Sequence, residues 1–222
     1  MRVNKVHIAV ASLLLLLFLI HVTWRFGGIP NTTASEDKSV KDYRFPQVPL
    51  MLNVIPKLIV QTARYSQNKI PPKMREAMDS FKTLNPGFEY YYLDDNAVNI
   101  FFLKYYGSES EEYWAFCNLV PGAFKADLFR YCFLYIFGGF YTDSDMVALT
   151  SFENVVDFKR DKFVTSLEKV EFGLFQAIMA STPKHPILRV AIDAVIHNVK
   201  IKAKPAWELE ITGPVRAFDC FL

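Results

Sequence analysis

Apolar and polar positions follow two different periods along the chain after residue 52. Short apolar runs bounded by turn residues are typical of buried strands, and they occur at residues 57–61, 88–93 and 140–142. Longer stretches with helical spacing and capping residues predict α-helices at residues 72–84, 94–106, 124–137 and 187–199. Strands that alternate with helices predict one α/β domain over residues 53–222, with a mainly parallel sheet flanked by helices.

The first 52 residues have a different pattern. Residues 8–24 form a run of 17 residues without a formal charge, and the tail of residues 1–7 before it contains Arg2 and Lys5. As a helix this run is about 26 Å long, which predicts a transmembrane signal anchor with the rest of the chain in the lumen. A cleaved signal peptide is the alternative interpretation. Residues 25–52 have no regular period and contain three prolines, which predicts a stem.

Composition and charge narrow the classes of function. With 51% hydrophobic and 22% charged residues, the chain has the composition of a folded protein and not of a disordered one. Arg2 and Lys5 account for the net charge of +2, so no excess of positive charge favours a nucleic acid partner. The three cysteines, Cys117, Cys132 and Cys220, are too few and too widely spaced for a disulfide scaffold or a zinc site.

The helix predicted at residues 124–137 contains three charged side chains, Lys125 near its start and Asp127 and Arg130 further along. It is apolar on nearly every side, yet Asp127 and Arg130 stand three residues apart within it. That spacing places both side chains on one face of the helix. A buried ion pair that ties the helix to its surroundings is one interpretation. A pair that faces a polar ligand cleft, and so avoids the cost of burying charge, is the other.

The segment Asp143-Ser144-Asp145 follows the third predicted strand. In an extended chain residues i and i+2 point to the same side, so the two carboxylates are expected to converge on one cation, with Ser144 on the other side. Such oxygen ligands suit Mg²⁺ or Mn²⁺. A calcium loop is excluded because Val147 and Ala148 stand at its fifth and sixth positions. A phosphatase that begins with the same motif needs a later acidic pair, and no Asp-Asp follows.

The segment from Ala126 to Asp145, ADLFRYCFLYIFGGFYTDSD, resembles the glycosyltransferase sugar-binding region that contains the DXD motif. This is glycosyltransferase family 32, the family of the yeast initiating α-1,6-mannosyltransferase and the inositolphosphoceramide mannosyltransferases. More distant relatives are α-1,4-galactosyltransferases and bacterial glucosylating toxins. The resemblance combines a D-x-x-R helix, a Gly-Gly stop and D-x-D at fixed spacing. The segments IPKLIVQT, STPKHP and TGP at residues 55–62, 181–186 and 212–214 are also similar to the family.

The resemblance implies a GT-A fold, which is Rossmann-like, and a retaining transfer from a nucleotide-sugar donor with a divalent metal. By position, Asp143 and Asp145 are the implied ligands of Mn²⁺ or Mg²⁺. Asp127 and Arg130 are the implied catalytic residues. The implied donor-binding residues are Asp127, Arg130, Gly139, Tyr141 and Ser144. Gln176 is interpreted as mainly structural, with contact with the donor pocket as the alternative that the resemblance suggests.

Three departures from the family pattern accompany the resemblance. Val60 stands where the family often has His, and Ala63 stands where it often has Trp. The chain ends at Leu222, where relatives commonly continue, so the domain is expected to be short at its C-terminus. These departures leave details of nucleotide and acceptor recognition open.

We therefore expect a metal-dependent hexosyltransferase in the Golgi membrane, with single-pass type II topology and a lumenal catalytic domain. Its expected donor is GDP-mannose or a UDP-hexose, with mannose as the expected sugar, and its expected acceptor is a glycan or a glycolipid. A membrane-tethered protein that binds a sugar or a nucleotide without catalysis is the alternative.

Overall fold

The computed structural model describes residues 43–51, 53–167, 174–203 and 212. These residues belong to one compact unit that begins at Tyr43. The transmembrane segment predicted at residues 8–24 and most of the predicted stem lie outside the described residues. Within the described ranges, no helix is both long enough and apolar enough to cross a membrane.

Five strands form one sheet in the order β2-β1-β3-β5-β4. Their bounds are β1 Leu58–Thr62, β2 Glu89–Leu93, β3 Gly139–Thr142, β4 Phe163–Leu167 and β5 Leu174–Ser181. β1 pairs in parallel with β2 and β3, whereas β5 runs antiparallel to β3 and β4. The predicted mainly parallel sheet is therefore correct for β1, β2 and β3 and wrong for β4 and β5. The reason is that β4 and β5 follow each other directly, and a short connection can join only antiparallel neighbours.

The described residues form five α-helices, whose bounds are α1 Pro72–Leu84, α2 Asp95–Tyr105, α3 Glu111–Asn118, α4 Gly122–Phe137 and α5 Pro186–Lys200. The first and last residues of four of these helices agree with the predicted bounds to within about two residues, and α3 was not predicted. The side chain of Ser110 caps α3 by accepting a hydrogen bond from the Tyr113 N–H. A serine followed by Glu111 and Glu112 is a helix-start signal that the sequence offered.

Helix α4 lies in the middle of the domain. It packs against the sheet on one side and against α5 and α3 on the others, and ten of its 16 residues are buried. A second apolar cluster, which includes Phe81, Phe140 and Phe152, covers the opposite face of the sheet. Both faces of the sheet are therefore covered, so polar ligands can approach only along its edges and ends.

Two glycines carry the chain directly from α4 into β3. Gly138 ends the helix as predicted, because its N–H donates to the Leu134 carbonyl oxygen and its φ of 66° favours glycine. Gly139 has a φ of 88°. A Cβ at Gly139 would lie 2.6 Å from the carbonyl oxygen of Leu58 in β1. The close pairing of β3 with β1 therefore requires glycine at this position.

We predict that Gly139→Ala lowers the free energy of unfolding by roughly 1–3 kcal/mol, because it adds backbone strain and a clash with Leu58. The measurement is urea denaturation of the purified chain. Gly87→Ala is the matched control, since nothing lies within 4 Å of the added Cβ there and its stability should change little. Equal stability of the two variants would contradict the prediction.

Candidate active site

The candidate site lies beyond the carboxyl ends of β1 and β3. The chain forms β2 on one side of β1 and then β3 on the other side, so the strand order reverses between β1 and β3. In open α/β sheets, ligands bind in the crevice outside the carboxyl ends of the strands at such a reversal. The Asp143-Ser144-Asp145 segment follows the end of β3, and the expected position of the acidic pair at a strand end is confirmed.

Gln61 joins the ends of the two strands, and the sequence reasoning did not assign it a role. Its Nε2 donates to Thr142 Oγ1 at 2.8 Å and to the Asp143 carbonyl oxygen at 3.1 Å. Its Oε1 accepts a hydrogen bond from the hydroxyl of Tyr90. A fully buried amide whose two ends are paired in this way holds three strands in register. The available signal was an amide side chain directly after the apolar run of residues 58–60.

Arg130 links helix α4 to the segment after β3. One terminal nitrogen of its guanidinium lies 3.0 Å from Asp127 Oδ1 and 3.2 Å from Asp143 Oδ1. The guanidinium carbon lies 4.7 Å from the centre of the Tyr141 ring. Asp127 and Arg130 are each only 5% exposed. The buried ion pair of the first interpretation is therefore present, whereas contact of either side chain with a donor stays a prediction.

The charges around Arg130 leave an excess of negative charge. Burial alone lowers the pKa of Arg130, but attraction from Tyr141, Asp127 and Asp143 outweighs that effect and raises the pKa overall. Burial raises the pKa of Asp127, and the guanidinium opposes this shift. With both carboxylates ionised beside one guanidinium, the cluster carries one net negative charge, and Asp145 adds a second. Two negative charges match a divalent cation.

A second set of hydrogen bonds surrounds Asp127. The hydroxyl of Thr212 donates to Asp127 Oδ2 at 2.6 Å. The hydroxyl of Tyr131 lies within hydrogen-bond distance of Gln176 Oε1 and of the Thr212 carbonyl oxygen. Thr212 is the described residue of the TGP segment noted in the sequence, and Gln176 comes from β5. Both therefore meet α4 at Asp127, and both oxygens of this carboxylate have protein partners.

The D-x-D segment is a turn, and the expected extended conformation is wrong. The Asp143 N–H still bonds to the Ala177 carbonyl oxygen at 2.8 Å, but the Met146 N–H then bonds back to the Asp143 carbonyl oxygen at 3.2 Å. Ser144 and Asp145 occupy the middle of this turn, with Ser144 buried and Asp145 exposed. The physical reason is that Asp and Ser favour turns as soon as ladder hydrogen bonds end.

The carboxylates of this turn fit a divalent cation. Asp143 Oδ1 accepts hydrogen bonds from the Tyr141 hydroxyl at 2.8 Å and from Arg130, while no described residue donates to Oδ2. Asp145 has no hydrogen-bond or salt-bridge partner in the described part of the chain. Among the described residues, no three His, Cys, Asp or Glu side chains form a metal site by themselves. Mg²⁺ and similar ions commonly use one or two carboxylates and complete their shell with water and substrate phosphates.

The remaining predicted donor-binding residues lie in β3 and in the turn after it, at different distances from Asp143. Tyr141 and Ser144 flank Asp143, and Tyr141 contacts it directly. Gly139 lies at the start of β3, at the opposite end of the strand from Asp143. Its contact with Leu58 is a packing reason for glycine at this position, and its contact with a donor stays a prediction.

A cavity of about 590 Å³ opens at the same edge of the sheet. It lies between the end of β1, helix α2 and the first turns of α4. Apolar side chains that line it include Ala63, Val98 and Phe116, and the polar ones are Thr62, Arg64, Asp95, Asn99 and Lys125. A cavity of this size, largely apolar with a few polar groups, is typical of a small-molecule site.

The fold is GT-A-like, and the acidic D-x-D turn lies at the end of its strand β3. A family model described as glycosyltransferase sugar-binding region containing DXD motif matches residues 71–161, which include Asp127, Arg130, Asp143 and Asp145. The resemblance inferred from the sequence is thus confirmed, and residues 71–161 are similar to the sugar-binding region of this DXD glycosyltransferase family.

Two relatives and one solved structure are similar to the chain. The mannosyl phosphorylinositol ceramide synthase of Saccharomyces cerevisiae is 26% identical over 204 residues, 90% of this chain and 50% of the relative. The inositol phosphoceramide mannosyltransferase 2 of Schizosaccharomyces pombe is 28% identical over 154 residues, 69% of this chain and 41% of the relative. This chain thus spans about half the length of these relatives. The PaToxG glycosyltransferase structure has a TM-score of 0.59 at 17% identity over 75% of this chain and 69% of that chain, which shows the fold.

We predict that Arg130→Met lowers the free energy of unfolding by about 3–5 kcal/mol, because it leaves the buried carboxylate of Asp127 without the guanidinium that neutralises it. Adding Asp127→Asn to this variant should restore part of the loss, since the amide carries no charge. Urea denaturation measures both effects. Arg160→Met is the control, because its partner Asp157 is 3.8 Å away and both side chains are exposed. A loss for Arg130→Met no larger than for Arg160→Met would show that the buried pair does not stabilise the fold.

Proposed function

We propose that this protein is a metal-dependent, retaining hexosyltransferase that moves mannose from a nucleotide-diphosphate sugar to a glycan or glycolipid acceptor. The observation that carries the proposal is the carboxylate of Asp143, next to Asp145. Arg130 and Tyr141 hold one of its oxygens, and no described residue donates to the other. The names of both relatives describe mannosyl transfer or mannosyl lipid synthesis, which supports mannose and a glycolipid acceptor.

The donor is proposed to lie along the edge of the sheet. Its diphosphate is placed at Asp143 and Asp145, after β3, and its nucleoside in the cavity beyond β1. Arg130 and Tyr141 hold Asp143 Oδ1, so Asp143 would offer its Oδ2 to a divalent cation.

In the proposed reaction, the bond between the anomeric carbon and the diphosphate oxygen breaks, the acceptor hydroxyl oxygen forms the new bond to that carbon, and the hydroxyl proton passes to the leaving diphosphate or to solvent. Positive charge develops on the sugar while negative charge collects on the leaving diphosphate. The divalent cation supplies positive charge to the leaving phosphates. Asp127 and Arg130 are assigned to the donor sugar and phosphate, with Ser144 beside them. Retention requires either a nucleophile on the far face of the sugar or front-face attack assisted by the leaving group.

We predict that chelation abolishes transfer and that Mn²⁺ or Mg²⁺ restores it. Asp143→Ala and Asp145→Ala should each lower the turnover by roughly 100-fold or more, because neither carboxylate can replace the other at the cation. The measurement is donor hydrolysis and transfer by the purified chain with a panel of nucleotide sugars.

The control for these variants is Asp79→Asn, which neutralises an exposed carboxylate of α1 whose ion pair among the described residues is with Lys82. It should keep full activity. An Asp145→Ala variant that stays active, or full activity in chelator, would contradict the proposal. Metal-dependent binding of a nucleoside diphosphate with no turnover of any donor would favour a non-catalytic binding protein instead.

We further propose a Golgi membrane location with type II topology. Support comes from the charge-free run of residues 8–24 and from Arg2 and Lys5 before it, because positive residues remain on the cytosolic side. In sealed microsomes the domain after residue 52 should resist added protease until detergent is present. Digestion of that domain without detergent would overturn this topology.

A further inference from the structure

The contact between β1 and β3 continues through a side chain after the backbone pairing stops. The last backbone pair of the two strands is Val60 with Tyr141. The next residue of β1, Gln61, is fully buried. Its Nε2 lies 2.8 Å from Thr142 Oγ1 and 3.1 Å from the Asp143 carbonyl oxygen. The amide of this side chain therefore extends the contact between the strands to the first residue of the D-x-D turn.

The orientation of the Gln61 amide follows from its partners. A backbone carbonyl oxygen can only accept hydrogen bonds, so the end of the amide that faces Asp143 is its NH₂ group. At the other end, the hydroxyl of Tyr90 lies 2.5 Å from Gln61 Oε1. Burial raises the pKa of Tyr90, so this hydroxyl keeps its proton and donates a hydrogen bond to Oε1. Tyr90 thus stabilises the orientation in which Gln61 donates to Asp143.

The carbonyl oxygen of Asp143 is the atom that closes the D-x-D turn. It accepts a hydrogen bond from the Met146 N–H at 3.2 Å in addition to the bond from the Gln61 amide. These two bonds occupy both lone pairs of the oxygen, so the group that Asp143 would offer to a cation is its carboxylate. Gln61 therefore holds the backbone of the residue whose side chain is the proposed metal ligand.

We propose that Gln61 is a positioning residue for the divalent cation. By holding the carbonyl oxygen of Asp143, its amide fixes the place where the chain turns away from β3, and with it the direction of the Asp143 carboxylate. Arg130 and Tyr141 bond to the carboxylate itself, whereas Gln61 bonds to the backbone of the same residue. This inference rests on the proposed function, because it requires a cation at the D-x-D turn. It adds a residue of β1 on which binding of that cation depends.

The test is the affinity of the purified full chain for Mn²⁺, with and without inorganic diphosphate, measured by the enhancement of water-proton relaxation. This measurement needs no turnover. Gln61→Met keeps the length of the side chain but has no N–H group, so the Asp143 carbonyl oxygen loses a donor. We expect Mn²⁺ to bind roughly tenfold or more weakly to this variant, the loss typical when a group that orients a metal ligand is removed.

The matched control is Thr142→Val. It removes the other acceptor of the same Gln61 nitrogen and leaves one buried N–H without a partner, so it should destabilise the fold as Gln61→Met does. The bond from Gln61 to Asp143 stays in place, so the Mn²⁺ affinity should remain that of the unaltered chain. Thermal unfolding of each variant identifies a temperature at which all of them are folded, and the affinities are compared there. A role in stability alone would leave the two variants with equal affinities.

A second variant covers the case in which Gln61→Met does not fold. Gln61→Asn keeps an amide on a side chain that is one methylene shorter and cannot reach Asp143, and it should also weaken Mn²⁺ binding. If neither variant folds, or if both bind Mn²⁺ as tightly as Thr142→Val does, Gln61 serves the fold alone. Either result would overturn this inference and leave the transferase proposal intact. If the unaltered chain binds no Mn²⁺ in either condition, both this inference and the metal dependence of the proposed function are wrong.

Discussion

The arrangement of the candidate site depends on one buried guanidinium. Arg130 is held inside the domain by its neighbours on α4, and one of its nitrogens contacts carboxylates from two different elements, Asp127 of the helix and Asp143 after β3. Without the Arg130 guanidinium, the carboxylates of Asp127 and Asp143 would repel each other in a partly buried place, and this repulsion would raise the free energy of the folded state. Arg130 therefore holds the end of β3 next to the second turn of α4, and it orients the carboxylate of Asp143.

The burial of α4 makes this arrangement possible. Because the helix is apolar on nearly every side, it can lie between the sheet and α5, where Asp127 and Arg130 are excluded from bulk water. Gly138 and Gly139 then return the chain into β3 without an intervening loop, next to β1. Helix, strand and acidic turn thus form one continuous segment, which explains why the D-x-x-R helix, the Gly-Gly stop and D-x-D occur at fixed spacing.

The edge of the sheet divides into two chemically different halves. The end of β3 is acidic, with Asp143 and Asp145 available to a cation, whereas the cavity beyond β1 is mostly apolar with polar groups at its border. A ligand that is highly charged at one part and flat and aromatic at another fits such a surface. Gln61 joins the two halves by bonding to Thr142 and to the backbone of Asp143, so their relative position is set by the sheet itself.

The sequence by itself determined the local elements and the family resemblance. Hydrophobic periodicity, helix-capping residues and helix-breaking residues predicted β1 to β3 and four helices, because these elements depend on residues close together in the chain. The D-x-x-R and D-x-D spacings indicated Asp127, Arg130, Asp143 and Asp145 as site residues. Tertiary structure alone decided the rest. The antiparallel β4–β5 hairpin, the sharing of Arg130 by two carboxylates, the role of Gln61 and the contact of Thr212 with Asp127 all join residues distant in sequence, and no local period reports such contacts. The turn at Asp143 likewise arises where the pairing of β3 with its neighbours stops, which depends on where β5 lies.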